Sequence, residues 1–146
     1  SPMSKDKEYV NVLEKSISGY PITILEAVEH GALQDIYKSA KIYWHAAGYG
    51  EDLEKFPERS EHFGITTVEA MSYGVVPVVI NEGGQKEIVN NEKDGYVWDT
   101  EDELIQKTIS LIQDVKLRER LSLHAQQRAQ VFSQERFCQD LKRLIV

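Results

Sequence analysis

Two glutamates, Glu61 and Glu69, stand eight positions apart on either side of Gly64 in the stretch Glu61-His62-Phe63-Gly64-Ile65-Thr66-Thr67-Val68-Glu69. A carboxylate just before a helix and a second inside it can address one ligand from two directions. Between them, Gly64 lets backbone approach a ligand closely, and the free N–H groups near Ile65 and Thr66 point out of the helix start, where the dipole favours an anion. A phosphate fits there. Glu69, about a turn into the helix, could accept hydrogen bonds from ribose hydroxyls, and Glu61 could reach the group beyond the phosphates. The arrangement suits a nucleotide-linked polar substrate. Taken alone, a glutamate pair at this spacing is more often two solvated surface carboxylates, so the surrounding elements must decide.

Those elements alternate between strand and helix patterns. Val75-Val76-Pro77-Val78-Val79-Ile80 has no polar alternation, as expected of a parallel strand covered on both faces, with Pro77 near its start. Ahead of it, Ile65 to Tyr73 reads as a short helix closed by Gly74. Further back, Ser4 precedes a helix over 5–17 with Tyr9, Val10, Leu13 and Ile17 on one face, stopped by Gly19 and Pro21. The β-branched run Ile22-Thr23-Ile24-Leu25 predicts a short strand. A helix through Leu33, Ile36 and Tyr37 follows, then a strand at Lys41-Ile42-Tyr43-Trp44, which together make a parallel crossover unit. Residues 48–60, with Gly50, Pro57 and six charges, read as a surface loop.

Downstream, Gly83-Gly84 opens a short helix through Val89, Asp94-Gly95 makes a turn, and Tyr96-Val97-Trp98 is a last short strand. Thr100 and Glu103 form a capping-box pattern ahead of an amphipathic helix bearing Leu104, Ile105, Ile109 and Ile112. Leu117, Leu121, Ala125 and Phe132 mark another helix. Ser133 caps a final one, whose expected buried face is Phe137, Leu141 and Leu144 or Ile145. The whole reads as α/β, doubly wound, mostly parallel, with helices at the end. Ligands of such sheets bind beyond the carboxyl ends of the strands. That rule selects the loop after Leu25, the stretch from His45 through Glu69, and Asn81 to Gln85.

Bulk properties narrow the partners. A chain of 146 residues reads as one domain, and 24 acidic against 17 basic residues give a net charge of −7. That sign repels phosphate backbones and anionic head groups, so nucleic acid is not expected as a partner. The longest apolar run falls far short of the roughly 20 residues of a membrane span. Ser-Pro-Met-Ser-Lys-Asp-Lys has no apolar stretch behind its lysines and does not read as a secretory signal. With Cys138 the sole cysteine, no internal disulfide forms, and a cytoplasmic location is expected.

The ordered set Glu61-x-Phe63-Gly64, Glu69-Ala70-Met71, Gly74, Pro77-Val78-Val79, Gly83-Gly84, Glu87-Ile88-Val89 and Asp94-Gly95-Tyr96 resembles glycosyltransferase family 4, best between Ile22 and Trp98. Members of that family have two Rossmann-like domains facing across a cleft, the GT-B architecture. The resemblance implies that residues 1–146 are a fragment of the donor-binding C-terminal domain, lacking the opening strands and the acceptor domain. It implies retaining transfer of a sugar from a nucleotide-diphosphate sugar to a hydroxyl of a glycan, a lipid-linked or a small acceptor, with no cofactor and no protein-bound metal. On that resemblance Glu61 contacts the transferred sugar and steadies the oxocarbenium-like transition state, and Glu69 holds the ribose. Phe63, Gly64, Ile65 and Thr66 match the backbone segment that meets the diphosphate and sugar. Gly83 and Gly84 close one wall. The full-length protein would work in the cytoplasm or at the inner face of the membrane.

Two departures from the family pattern carry expectations of their own. The Arg and Lys that neutralise the diphosphate in relatives have no counterpart here, which keeps open a second reading: a non-catalytic nucleotide-sugar binding or assembly module, inactive in isolation. The absent central strands should leave a strand edge open to self-association. The loop Gly48 to Ser60 is longer than usual and resembles the subset whose motif begins Glu-His-Phe-Gly.

Single residues carry narrower readings. His45, at a strand end, either lines the cleft as a substrate contact or caps the strand. His62 interrupts the motif where relatives carry a small or variable residue. His30 and His124 read as solvated, Tyr43 and Trp44 as core rather than a base-stacking platform, and Trp98 as packing. No His, Cys or Asp spacing suggests a metal site. Gly83-Gly84 lacks the rest of a dinucleotide fingerprint. Cys138 falls on the apolar side of the last helix with no partner to activate it. A glycosidase with paired carboxylates about 5 Å apart needs both on one rigid scaffold, which this chain does not suggest.

Overall fold

The computed structural model describes residues 2–145, and side chains over 8–144. The chain divides into two compact units, 1–33 and 34–146. The first holds α1 (Pro2–Ser16), which ends ahead of Gly19 in a left-handed turn, φ +88°. Residues Ile22–Leu25, expected as a strand, are irregular, with Ile22 and Leu25 more than half exposed. A β-branched run forms a strand only where a neighbouring edge offers hydrogen bonds, and among the described residues no strand pairs with this one. The expected crossover unit is therefore loop, helix and strand.

Helix α2 (His30–Ser39) leads into the second unit, whose sheet has three parallel strands in the order β1 (Ile42–His45), β2 (Val76–Ile80), β3 (Tyr96–Trp98). Ile42 pairs with Val76 and His45 with Val79, while Val78 pairs with Tyr96 and Ile80 with Trp98. As its unbroken apolar run predicts, β2 is buried along its whole length. Alternate residues serve opposite faces. Val79 packs with Met71, Ile88, Val89, Ala125 and Ala129, while Val76, Val78 and Ile80 pack with Trp98, Leu111 and Leu121. The helices supplying these cores are α3 (Ile65–Ser72), α4 (Gln85–Ile88), α5 (Glu101–Gln113) and α6 (Val115–Ala129), with α6 contributing to both.

Helix starts follow local chemistry. Thr100 Oγ1 accepts the Glu103 N–H at 3.3 Å, whereas the Glu103 carboxylate takes the Asp99 N–H and Lys107 Nζ rather than completing a capping box with Thr100. Asp114, which the periodicity did not single out, caps α6 through the Leu117 N–H. Ser133 caps α7 (Gln134–Ile145) through the Arg136 N–H, as expected.

Three expectations about burial are corrected. The apolar face of α7 is open, with Phe137 67% and Leu144 85% exposed, because helical periodicity specifies a face and not a cover. Cys138 is exposed. Trp44 is 56% exposed rather than core; β1 is an edge strand, and the indole reaches past it to donate to Thr108 Oγ1 at 2.9 Å. Trp98 and Tyr37 are buried, and His124 bonds the Lys93 carbonyl through its ring.

Candidate functional site: the start of helix α3

The carboxyl ends of β1 and β2 deliver two loops to one place. The first, Ser60 to Gly64, turns into α3 through Gly64, the N-cap residue, at φ +92°. No side chain caps this start, and a Cβ on Gly64 would lie 2.5 Å from Gln85 Nε2, so glycine is required for both conformation and space. The amides of Ile65 and Thr66 belong to the first turn, which has no intrahelical acceptor for them. Thr66 Oγ1 bonds the Tyr43 hydroxyl at 2.9 Å and ties that turn to β1.

Glu61 folds back over the same turn, its Oε1 accepting the N–H of Phe63 and of Gly64. The Phe63 N–H above all, opposed by burial and aided by the Gly64 N–H, His45 and His62, holds its carboxyl below the usual range. Glu61 is thus an anion at neutral pH, and its Oε2 has no partner among the described residues. His45, at the end of β1, is half-buried, its Nδ1 enclosed and unbonded. Burial pushes its imidazole down, with Glu61 pulling the other way, so the ring is neutral at pH 7.

The second loop, Asn81 to Gly84, packs on the backbone of the first. Gly84 N–H donates to the Glu61 carbonyl at 2.9 Å. A Cβ on Gly83 would run into the Glu61 carbonyl oxygen, and one on Gly84 would lie 2.5 Å from the His62 oxygen. The two loops thus meet backbone on backbone.

Glu61, Gly64, Ile65, Thr66, Gly83, Gly84 and His45 are thus gathered about one helix start. Glu69 lies further along α3, half-buried, and its charge acts on Tyr37, whose hydroxyl is pushed up first by burial and then by Glu69. Phe63 contributes backbone only: its ring meets Phe132 edge-on, 6.3 Å between centroids, and lines an apolar hollow of ≈ 230 Å³ with Val131 and Phe137. Ile65 is exposed.

A cavity of ≈ 610 Å³ lies beyond the ends of β2 and β3, lined by Tyr49, Glu51, Asp52, Glu54, Glu82 and Asp99; most of its walls fall in stretches the strand-end rule selects, although the sequence singled out none of these side chains. The 48–60 loop that forms it is built, not slack. Arg59 pairs with Glu51 at 2.6 Å and covers the Phe56 ring, and Tyr49 packs on Trp98 with centroids 5.2 Å apart. The position of the loop at a strand end was the signal, and it named the stretch without the side chains. Among the described residues, no three His, Cys, Asp or Glu side chains are placed to hold a metal, and no helix is long and apolar enough to cross a membrane.

Comparison with known proteins gives this geometry a setting. The family described as glycosyl transferases group 1 matches residues 6–128. Over 84 residues the chain is 33% identical to a glycogen synthase of Desulfitobacterium hafniense, covering 58% of this chain and 16% of that protein. Sucrose-phosphate synthase from Thermosynechococcus elongatus superposes with a TM-score of 0.75 at 19% identity, over 97% of this chain and 34% of that one. The C-terminal domain of a group 1 glycosyl transferase from Francisella tularensis gives 0.67 at 19% identity, over 87% and 63%. Anabaena HepE, solved with UDP-glucose, gives 0.68 at 20% identity, over 84% and 32%. At such identities the structural likenesses speak to fold, and the chain spans about a sixth of the glycogen synthase and a third of the sucrose-phosphate synthase.

Proposed function

The chain belongs to the group 1 glycosyl transferases and has the α/β fold of GT-B enzymes; on that premise we propose that it is the donor-binding part of a retaining, family 4 type transferase. Its substrate is a nucleoside-diphosphate sugar, and the reaction moves the sugar to an acceptor hydroxyl of a glycan, a lipid-linked or a small molecule. The observation that carries this reading is the start of α3, where Gly64 removes any side chain and the amides of Ile65 and Thr66 are offered to an anion beside Glu61.

Transfer breaks the bond from the anomeric carbon to the diphosphate oxygen and forms one to the acceptor oxygen, whose proton leaves with the diphosphate. Negative charge grows on the departing phosphate, where fixed N–H groups stabilise it without a metal. Positive charge grows on the sugar, and the unbonded Oε2 of Glu61 is the available counter-charge. Neutral His45 can hydrogen-bond a sugar hydroxyl. Glu69, further along α3, takes the ribose hydroxyls.

A second reading is that this chain alone binds donor without turning it over; nucleotide binding with no sugar transfer would favour it. The edge position of β1 supports self-association of the isolated chain through that strand. A cytoplasmic site of action, at the membrane face for a lipid-linked acceptor, completes the proposal. Titration with UDP, GDP and ADP followed by NMR tests it. Shifts centred on residues 61–67 and 81–85 with at least one nucleotide are expected; silence with all three removes both readings.

A further inference from the structure

A buried carboxamide lies directly behind this helix start. Gln85 and Thr67 are both wholly enclosed, and the Thr67 hydroxyl donates to Gln85 Oε1 at 2.8 Å. That bond orients the amide and leaves Nε2 buried without a hydrogen-bond partner among the described residues. The nitrogen faces Gly64, since a Cβ there would be 2.5 Å from it and 3.2 Å from the Gln85 Cδ. Enclosed N–H groups with no acceptor are rare, because the lost hydration is not recovered. Here the positive end of an amide dipole is held against Gly64, the residue that leads into the unpaired N–H groups of α3.

We infer that Gln85 is a positioning residue for the anion: through Gly64 it holds the left-handed turn in place from behind, and its Nε2 end adds fixed positive potential to the amides of Ile65 and Thr66. The inference rests on the donor-binding reading and extends it, giving a side chain outside the Glu61 to Glu69 motif a share of the preference for diphosphate. Thr67 is its orienting partner. Preorganised dipoles of this kind act on charge and leave neutral parts of a ligand alone.

The test sets UDP, GDP and ADP beside their nucleosides, titrated by calorimetry into the wild-type chain, Gln85→Glu and Gln85→Met, with the melting temperature of each variant recorded. Gln85→Glu, nearly isosteric, should weaken diphosphate binding about tenfold or more, as a like charge beside an anion does, and leave nucleoside binding unchanged. Relative to wild type at each pH, the loss should shrink as the introduced carboxyl takes up a proton. Gln85→Met, which keeps the bulk and loses the dipole, should weaken diphosphate binding in the same sense but less. In the wild type, the Gln85 side-chain NH₂ resonances should move with diphosphate and not with nucleoside. Equal losses for diphosphate and nucleoside, or an unmoved NH₂ signal, would overturn the inference while leaving donor binding intact. No wild-type response to any diphosphate removes the donor-binding reading itself, and this inference with it.

Discussion

Glu61 Oε1 lies 3.1 Å from the backbone nitrogen of Phe63 and 3.1 Å from that of Gly64, so one oxygen of the residue proposed to face the sugar is already committed to the turn that starts α3. The same carboxylate therefore shapes the site and supplies its charge, and the two roles separate by substitution. Glu61→Gln keeps an oxygen for the two amides and loses the charge. In the complete enzyme it should lower kcat by about 10²–10³-fold with a modest change in melting temperature. Glu61→Ala should match that loss and also destabilise by about 1 kcal/mol, because an exposed and a part-buried N–H lose their acceptor. Near-normal turnover of Glu61→Gln would remove the residue from the chemistry.

The Glu69 charge reaches Tyr37 and, after burial, raises its hydroxyl's pKa. A ribose contact is present in ground and transition states alike, so Glu69→Ala should raise the donor KM and leave kcat unchanged. The side effect to look for is on Tyr37: without the Glu69 charge, its hydroxyl should titrate at lower pH, readable by ultraviolet absorbance. A fall in kcat at constant KM would contradict the assigned role.

Acid stability should carry two signatures. The imidazole of His45 is held down by burial, so as pH falls past the ordinary value of 6.5 the unfolded chain takes up a proton that the native one resists. Native stability then drops through that window and levels off below the native pKa. The depressed carboxyl of Glu61 acts lower: its contribution is complete above the ordinary value of 4.5 and disappears as pH falls through its native pKa. Urea melts between pH 7.5 and 5 on His45→Gln should show a flatter slope than wild type. An unchanged slope would place the ring in water.

The glycines are not equivalent. Gly84→Ala places a methyl 2.5 Å from the His62 oxygen and 2.7 Å from that of Phe63, both backbone atoms. It should cost about 2 kcal/mol or more and abolish nucleotide binding by parting the two loops. Gly31→Ala, in α2 with nothing within 4 Å, should stabilise by about 0.5–1 kcal/mol. Equal melting temperatures for the two variants would refute the packing described.

Thr100 caps α5 with its hydroxyl, so Thr100→Ala should destabilise by about 1 kcal/mol, measured by denaturant melts. Nucleotide affinity should not follow.

How much of this was legible varied with what each pattern encodes. The apolar run of β2 and the Thr100 cap announce themselves because local chemistry and burial agree there. The gathering of Glu61, Gly64 and Gly83-Gly84 was readable as a motif, although the folding back of Glu61 was not, since only coordinates show which amides a carboxylate finds. Ile22–Leu25 failed because strand propensity expresses itself only beside a partner. Phe137 and Leu144 failed because periodicity marks a face without saying whether anything lies over it. The side chains lining the cavity behind Tyr49 were not legible because a loop of mixed charge has no period, and its order comes from long-range pieces such as Arg59 on Phe56 and Tyr49 on Trp98.

Gly83 and Gly84 seat against Glu61 to Phe63 chiefly backbone on backbone, with the small Ser60 hydroxyl beside them. Such a joint cannot be retuned one half at a time: a change that suits a new sugar on one side is felt at once on the other. The 48–60 segment, whose walls are side chains, is by contrast open to change one residue at a time.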